Sequence, residues 1–143
     1  MLRQIKGADG GFGYGNRMKP EPRRPLIAVV EDDGDVLSAL RFALEADGYA
    51  VCAFPDAAQA LGSVCIDRAD CLVIDYGLPG MDGVELMQAL RRRNVACPAI
   101  IITGNPTERC RREAGAAGVQ VLEKPLMAHA LARQIEAALT PTA

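Results

Sequence analysis

The sequence has no tryptophan, one histidine, and aromatic side chains at only 4% of its 143 positions. The lone imidazole, His129, has no partner with which to build a histidine-ligated metal centre. It reads as an ordinary surface residue on a helix rather than a catalytic base. No C-x-x-C pair occurs among the five cysteines, Cys52, Cys65, Cys71, Cys97 and Cys110. Zinc sites favour paired spacing, and an odd cysteine count without an export signal argues against a disulfide framework. Reduced thiols in or beside apolar segments are the expectation. No apolar run is long enough to cross a bilayer, and the opening MLRQIKGADGGFGYGNRMKPEPRR lacks the apolar stretch of a secretory signal. A cytoplasmic protein without membrane contact is expected. Nor is there an excess of positive charge: the net charge of −2 forecasts no general attraction to nucleic acid.

What is present suits one globular domain, with 50% apolar and 24% charged residues. Residues 1–24 are rich in Gly, Pro and Arg without apolar period and read as a flexible extension. Residues 25–140 would form the domain, and 141–143 a short tail. From Leu26 onward, β-branched runs alternate with helical periods. The predicted strands are LIAVV, YAVCAF, CLVI, AIIIT and VQVL. The predicted helices are DVLSALRFALEADG, DAAQALGSVC, VELMQALRRR, PTERCRREAGAAG (opened by Pro106) and LMAHALARQIEAAL. Five strands alternating with five helices through short loops predict a doubly wound parallel sheet in a three-layer α/β/α sandwich.

In such sheets ligands bind beyond the carboxyl ends of the strands. Four of the five predicted strands carry a polar group there: Glu31-Asp32-Asp33, Asp75, Thr103, and Glu123-Lys124-Pro125. Asp75 stands out, because in CLVIDYGLPGMDG a carboxylate ends a strand that is otherwise built for burial. Singly, each residue has an ordinary explanation: a helix cap, a turn threonine, a surface lysine. Jointly they form a constellation. Carboxylates crowded at 4 Å repel by about 4 kcal/mol per pair at an effective dielectric near 20. A divalent cation relieves that repulsion, and oxygen ligands without His or Cys point to Mg2+. Thr103 and Lys124 are suited to hold a phosphoryl oxygen, so the inferred chemistry is formation of an aspartyl-phosphate.

These residues resemble the receiver domain of bacterial two-component response regulators. The likeness covers Leu26 to Leu139 and rests on VVEDD, VIDYGLPGMDG, AIIITG and VLEKP. It implies the flavodoxin-like (βα)5 fold with strand order 2-1-3-4-5. It also implies that Asp75 is the phosphoacceptor, with Mg2+ held by Glu31, Asp32, Asp75 and the Gly77 carbonyl. Asp32 would be the direct ligand of the acidic pair, with Glu31 acting through water. Thr103 and Lys124 would bind the phosphoryl group, and a cis bond at Pro125 would aim the lysine. The implied donor is a sensor histidine kinase or a histidine phosphotransfer protein. The implied output is a downstream protein contact through the fourth helix, fifth strand and fifth helix. The domain would catalyse only its own phosphorylation and dephosphorylation.

Two positions depart from the family pattern. Val121 stands where an aromatic ring usually couples the hydroxyl residue to the surface. Gly77 and Asn105 occupy the positions that tune access of hydrolytic water, and Gly77 offers no shielding side chain. A haloacid-dehalogenase-type phosphatase would need a second acid where Gly77 lies. A flavin binder would have its phosphate repelled by Glu31-Asp32-Asp33. The remaining alternative is a pseudo-receiver that binds proteins without phosphorylation, motivated by Val121. No output segment follows the last predicted helix, which leaves a stand-alone receiver and an excised one equally open. Arg109, Arg111 and Arg112 make the fourth helix basic, which reads as a solvated face.

Overall fold

The computed structural model describes residues 23–126 and 129–140. The expected extension, apart from Arg23 and Arg24, and the expected tail at 141–143 lie outside the described residues. Five parallel strands form one sheet: β1 (Leu26–Val30), β2 (Ala50–Phe54), β3 (Cys71–Asp75), β4 (Ala99–Thr103) and β5 (Gln120–Glu123). Their order is β2-β1-β3-β4-β5, as the resemblance implies. The helices are α1 (Gly34–Ala46), α2 (Ala57–Leu61), α3 (Gly83–Arg92), α4 (Glu108–Ala117) and α5 (Ala130–Leu139).

Strands β3 and β4 are buried along their whole length, which is why CLVID and AIIIT are continuous apolar runs rather than alternating ones. Successive side chains point to opposite faces, so the sheet divides the interior in two. Ala28, Val30, Leu72, Ile74 and Ile101 pack with Ala60, Val84, Leu86, Leu90 and Cys110 beneath α2, α3 and α4. Ile27, Val29, Val73, Ile100 and Ile102 pack with Leu40, Leu44, Leu131 and Ile135 beneath α1 and α5.

The starts of α1 to α4 are set by side-chain caps. Asp33 accepts from the Asp35 and Val36 amides, Asp56 from Gln59, and Asp82 forms a capping box with Glu85. Gly118, left-handed at φ 73°, ends α4. Several boundaries differ from expectation by a residue or two, and three helix boundaries differ for reasons that the side chains and backbone make plain. Helix α2 stops at Gly62 instead of reaching Cys65, and a separate 3-10 turn spans Cys65–Arg68, opened by the Ser63 hydroxyl at 3.1 Å from the Cys65 amide. Pro106 lies outside α4, because the Thr107 hydroxyl caps the Cys110 amide and begins the helix there. Helix α5 starts at Ala130, with exposed His129 in a left-handed conformation at its cap, rather than at Leu126. Part of that expectation, Met127 and Ala128, lies outside the described residues.

All five cysteines are free, with Cys71 and Cys110 buried and the others half-buried. Burial pushes the Cys52 and Cys71 thiols up to about 12. No helix among the described residues is long and apolar enough to cross a membrane.

Candidate functional site

The carboxyl ends of β1, β3, β4 and β5 open onto one end of the sheet, and three polar side chains are nearly closed off there: Glu31 at 1%, Asp75 at 5% and Thr103 at 5% exposure. Registry brings them together. Asp75 pairs with Ile102, which puts Thr103 one step beyond the end of β3, and Thr103 pairs in turn with Glu123. Lys124 follows β5 directly, and its amide donates to the Thr103 carbonyl at 2.8 Å. The Lys124–Pro125 bond is cis.

Glu31, Asp32 and Asp75 each bring a carboxylate oxygen into one group, with these atoms all within 4.8 Å of one another. Asp33 does not join them; it caps α1 and donates its amide to Glu31 Oε2 at 3.1 Å. The Lys124 ammonium lies 2.9 Å from Glu31 Oε1 and 3.4 Å from Asp75 Oδ1. Loss of hydration and the neighbouring Glu31 charge push the Asp75 carboxyl up to about 6, against the pull of Lys124. For Lys124, burial works against the ammonium, but the hydrogen bond to Glu31 and the charge of Asp75 outweigh it and raise its pKa. One lysine thus leaves three carboxylates under-neutralised. That oxygen-only donor set, with excess negative charge, fits a hard divalent cation such as Mg2+.

The flanking loops are fixed by backbone contacts. The Gly77 amide approaches Asp75 Oδ1 at 3.4 Å, and the Asn105 amide donates to Thr103 Oγ1 at 3.2 Å. Gly77 and Asn105 are both exposed beside the site. Gly83 is held against the end of β3: its amide donates to the Tyr76 carbonyl at 2.9 Å, and a Cβ on it would lie 2.6 Å from the Asp75 carbonyl oxygen. Val121 is not at the site. It packs half-buried on the core beneath α2, α3 and α4.

Sequence reasoning missed Tyr76. Its phenol donates to Glu113 Oε1 on α4 at 2.9 Å, and Glu113 Oε2 accepts from Arg109 Nε at 2.9 Å. Burial and the Glu113 hydrogen bond push the phenol up to about 12. The pairing spans 37 residues, so no local pattern announces it.

Comparison with known proteins gives a consistent family. Residues 27–136 match the model of the response regulator receiver domain. The chain is 33% identical over 116 residues to transcriptional regulatory protein PrrA of Mycobacterium bovis, a match covering 80% of this chain and 50% of PrrA. It is 33% identical over 114 residues to transcriptional regulatory protein FixJ of Bradyrhizobium diazoefficiens, covering 79% of this chain and 56% of FixJ. The chain therefore spans about half the length of these curated relatives. Its fold superposes on the signal receiver domain of an HD domain-containing protein from Pseudomonas fluorescens Pf-5, with a TM-score of 0.75 and 27% identity, covering 82% of this chain and 95% of that one.

Proposed function

The chain belongs to the family of response regulator receiver domains, and from that premise we propose that Asp75 accepts a phosphoryl group from a phosphohistidine on a sensor histidine kinase or histidine phosphotransfer protein. The observation that carries this reading is a buried carboxylate at a strand end, beside two further acids and one lysine.

An Asp75 oxygen attacks phosphorus in line with the leaving imidazole. A P–O bond forms as the P–N bond breaks, and the imidazole nitrogen keeps the electron pair and takes a proton. The Lys124 ammonium, already 3.4 Å from Asp75 Oδ1, neutralises charge on the phosphoryl oxygens. The Thr103 hydroxyl donates to one of those oxygens. Glu31, Asp32, Asp75 and the Gly77 carbonyl would hold Mg2+, which when bound offsets the negative charge that the acids and phosphoryl oxygens share. Hydrolysis resets the domain, and Gly77 leaves the approach of water unshielded.

The output we propose is a protein contact on α4, β5 and α5, in a cytoplasmic phosphorelay or two-component pathway. PrrA and FixJ are transcriptional regulatory proteins by name; with a net charge of −2, this chain is not proposed to touch nucleic acid itself.

The test is intact mass after incubation with acetyl phosphate, with and without Mg2+, for the wild type and Asp75→Asn. One phosphate adduct that requires both Mg2+ and Asp75 is expected. A wild-type yield from Asp75→Asn would rule out the assignment. A folded wild-type protein that forms no adduct and binds no beryllofluoride would favour a phosphorylation-independent binding module.

A further inference from the structure

We propose that Tyr76 is a positioning residue that ties α4 to the phosphoacceptor strand in the resting state, and that the state of Asp75 reaches α4 through it. This rests on the phosphoacceptor reading of Asp75.

Tyr76 follows Asp75 directly, and its backbone is held on both sides. Its amide donates to the Ile102 carbonyl at the end of β4 at 2.8 Å, and its carbonyl accepts from Gly83 at the start of α3. The main chain at Tyr76 therefore moves only with the strand ends that frame Asp75. The side chain leaves this fixed base, packs on the core, and delivers its hydroxyl to Glu113 in α4. Glu113 has little freedom to follow another partner, because its second oxygen is engaged by Arg109 one turn earlier in the same helix.

Among the described residues, Tyr76 to Glu113 is the only side-chain hydrogen bond that joins α4 to another element. The β5 strand offers no such link, since Val121 faces the core with an apolar side chain. The loop that enters α4 is tied separately, by the Asn105 amide on Thr103 Oγ1. Both attachments lead back to residues that border Asp75: Tyr76 along the chain and Thr103 on the neighbouring strand. A phosphoryl group on Asp75 engages the Thr103 hydroxyl, and Tyr76 is the residue that directly follows the modified carboxylate in the chain. A shift of Thr103 toward that group carries the Asn105 loop with it, since the hydroxyl keeps accepting from the Asn105 amide while it donates. The Tyr76–Glu113 bond is the contact that must yield if α4 follows.

The experiment is hydrogen exchange of the Glu108–Ala117 amides in the full chain. The wild type, Tyr76→Phe and Glu113→Gln are each compared with and without Mg2+ and beryllofluoride. Without beryllofluoride, Tyr76→Phe should exchange in α4 roughly three- to tenfold faster than wild type, the effect of one lost hydrogen bond. Exchange in β3 and α1 should stay unchanged. Glu113→Gln, which keeps an acceptor for the phenol, should fall between the two. Beryllofluoride should speed α4 exchange in the wild type and add little in Tyr76→Phe, while both proteins give the same acetyl-phosphate adduct yield. Equal α4 protection in unliganded wild type and Tyr76→Phe would overturn the tether. So would an equal response of both proteins to beryllofluoride. A wild type that binds no beryllofluoride and forms no adduct overturns the reading of Asp75, and the proposed route with it, whatever α4 does.

Discussion

The Lys124 ammonium hydrogen-bonds Glu31 at 2.9 Å across 93 residues of sequence, closer than its approach to Asp75. The lysine that faces the candidate phosphoacceptor is thus also the counter-ion of a glutamate with 1% exposure. Lys124→Met should leave two buried carboxylates without a cation and cost about 1–3 kcal/mol at pH 7.5, below the usual cost of a fully buried pair because Lys124 is partly exposed. Urea denaturation in chelator reads this directly. The additional change Asp75→Asn should recover part of the loss; no recovery would mean that the damage is lost packing rather than unpaired charge.

Asp75 gives stability a pH dependence of unusual sign for a carboxylate. Its folded pKa, about 6, lies above the ordinary 3.8. Between those values the native protein binds a proton that the unfolded chain releases, so stability falls as pH rises through that window. The cost, on the order of 2–3 kcal/mol, is complete above pH 6. In chelator, Asp75→Asn should be more stable than wild type at pH 7.5, and the difference should shrink toward pH 4. A constant difference across that range would contradict the assignment.

Magnesium should relieve the same repulsion. At about ten times its dissociation constant it should stabilise the native state by about 1.4 kcal/mol. That corresponds to a rise of roughly 3–8 °C in melting temperature for a domain of this size. Differential scanning calorimetry should find this rise in the wild type and a much smaller one in Asp75→Asn, which lacks one ligand charge. Calcium as a second ion would show whether the site prefers the smaller cation.

Two glycines should respond in opposite directions to the same substitution. Gly83→Ala places a methyl carbon 2.6 Å from the Asp75 carbonyl oxygen, a backbone atom at the end of a buried strand that cannot step aside. It should destabilise by about 1–3 kcal/mol or more and lower phosphate uptake. Gly115→Ala, inside α4 with nothing within 4 Å, should stabilise by about 0.5–1 kcal/mol through helix propensity. Chemical denaturation of both variants distinguishes close contact from a general effect of glycine.

Most of the fold was legible because its strands are short, apolar and regularly spaced. Asp75 announced itself by ending a run that is otherwise buried, and Glu31, Thr103 and Lys124 by ending the neighbouring strands. Asp33 was ambiguous from sequence, since an acid after a strand can serve a site or cap a helix; only the turn of the backbone separates it from Asp32. The short α2 and its following 3-10 turn were not legible. They depend on Ser63 and on Arg93, which reaches Leu61, Ser63 and Asp67 from some thirty residues away. Tyr76–Glu113 was hidden for the same reason: a phenol and a carboxylate far apart in sequence reveal nothing of their pairing until the sheet and helices have placed them.

The divided interior has a consequence for how such a domain diversifies. Along β1 and β3 neighbouring residues belong to different compartments: Val29 and Val73 to one, Val30 and Ile74 to the other. A change of volume at one position is absorbed by its own compartment, while the adjacent position registers little beyond the shared backbone. Inherited substitutions can therefore accumulate under α1 and α5 with little effect on the seating of α3 and α4. One polypeptide can drift along two nearly independent tracks, and the sheet between them keeps the acidic end in place.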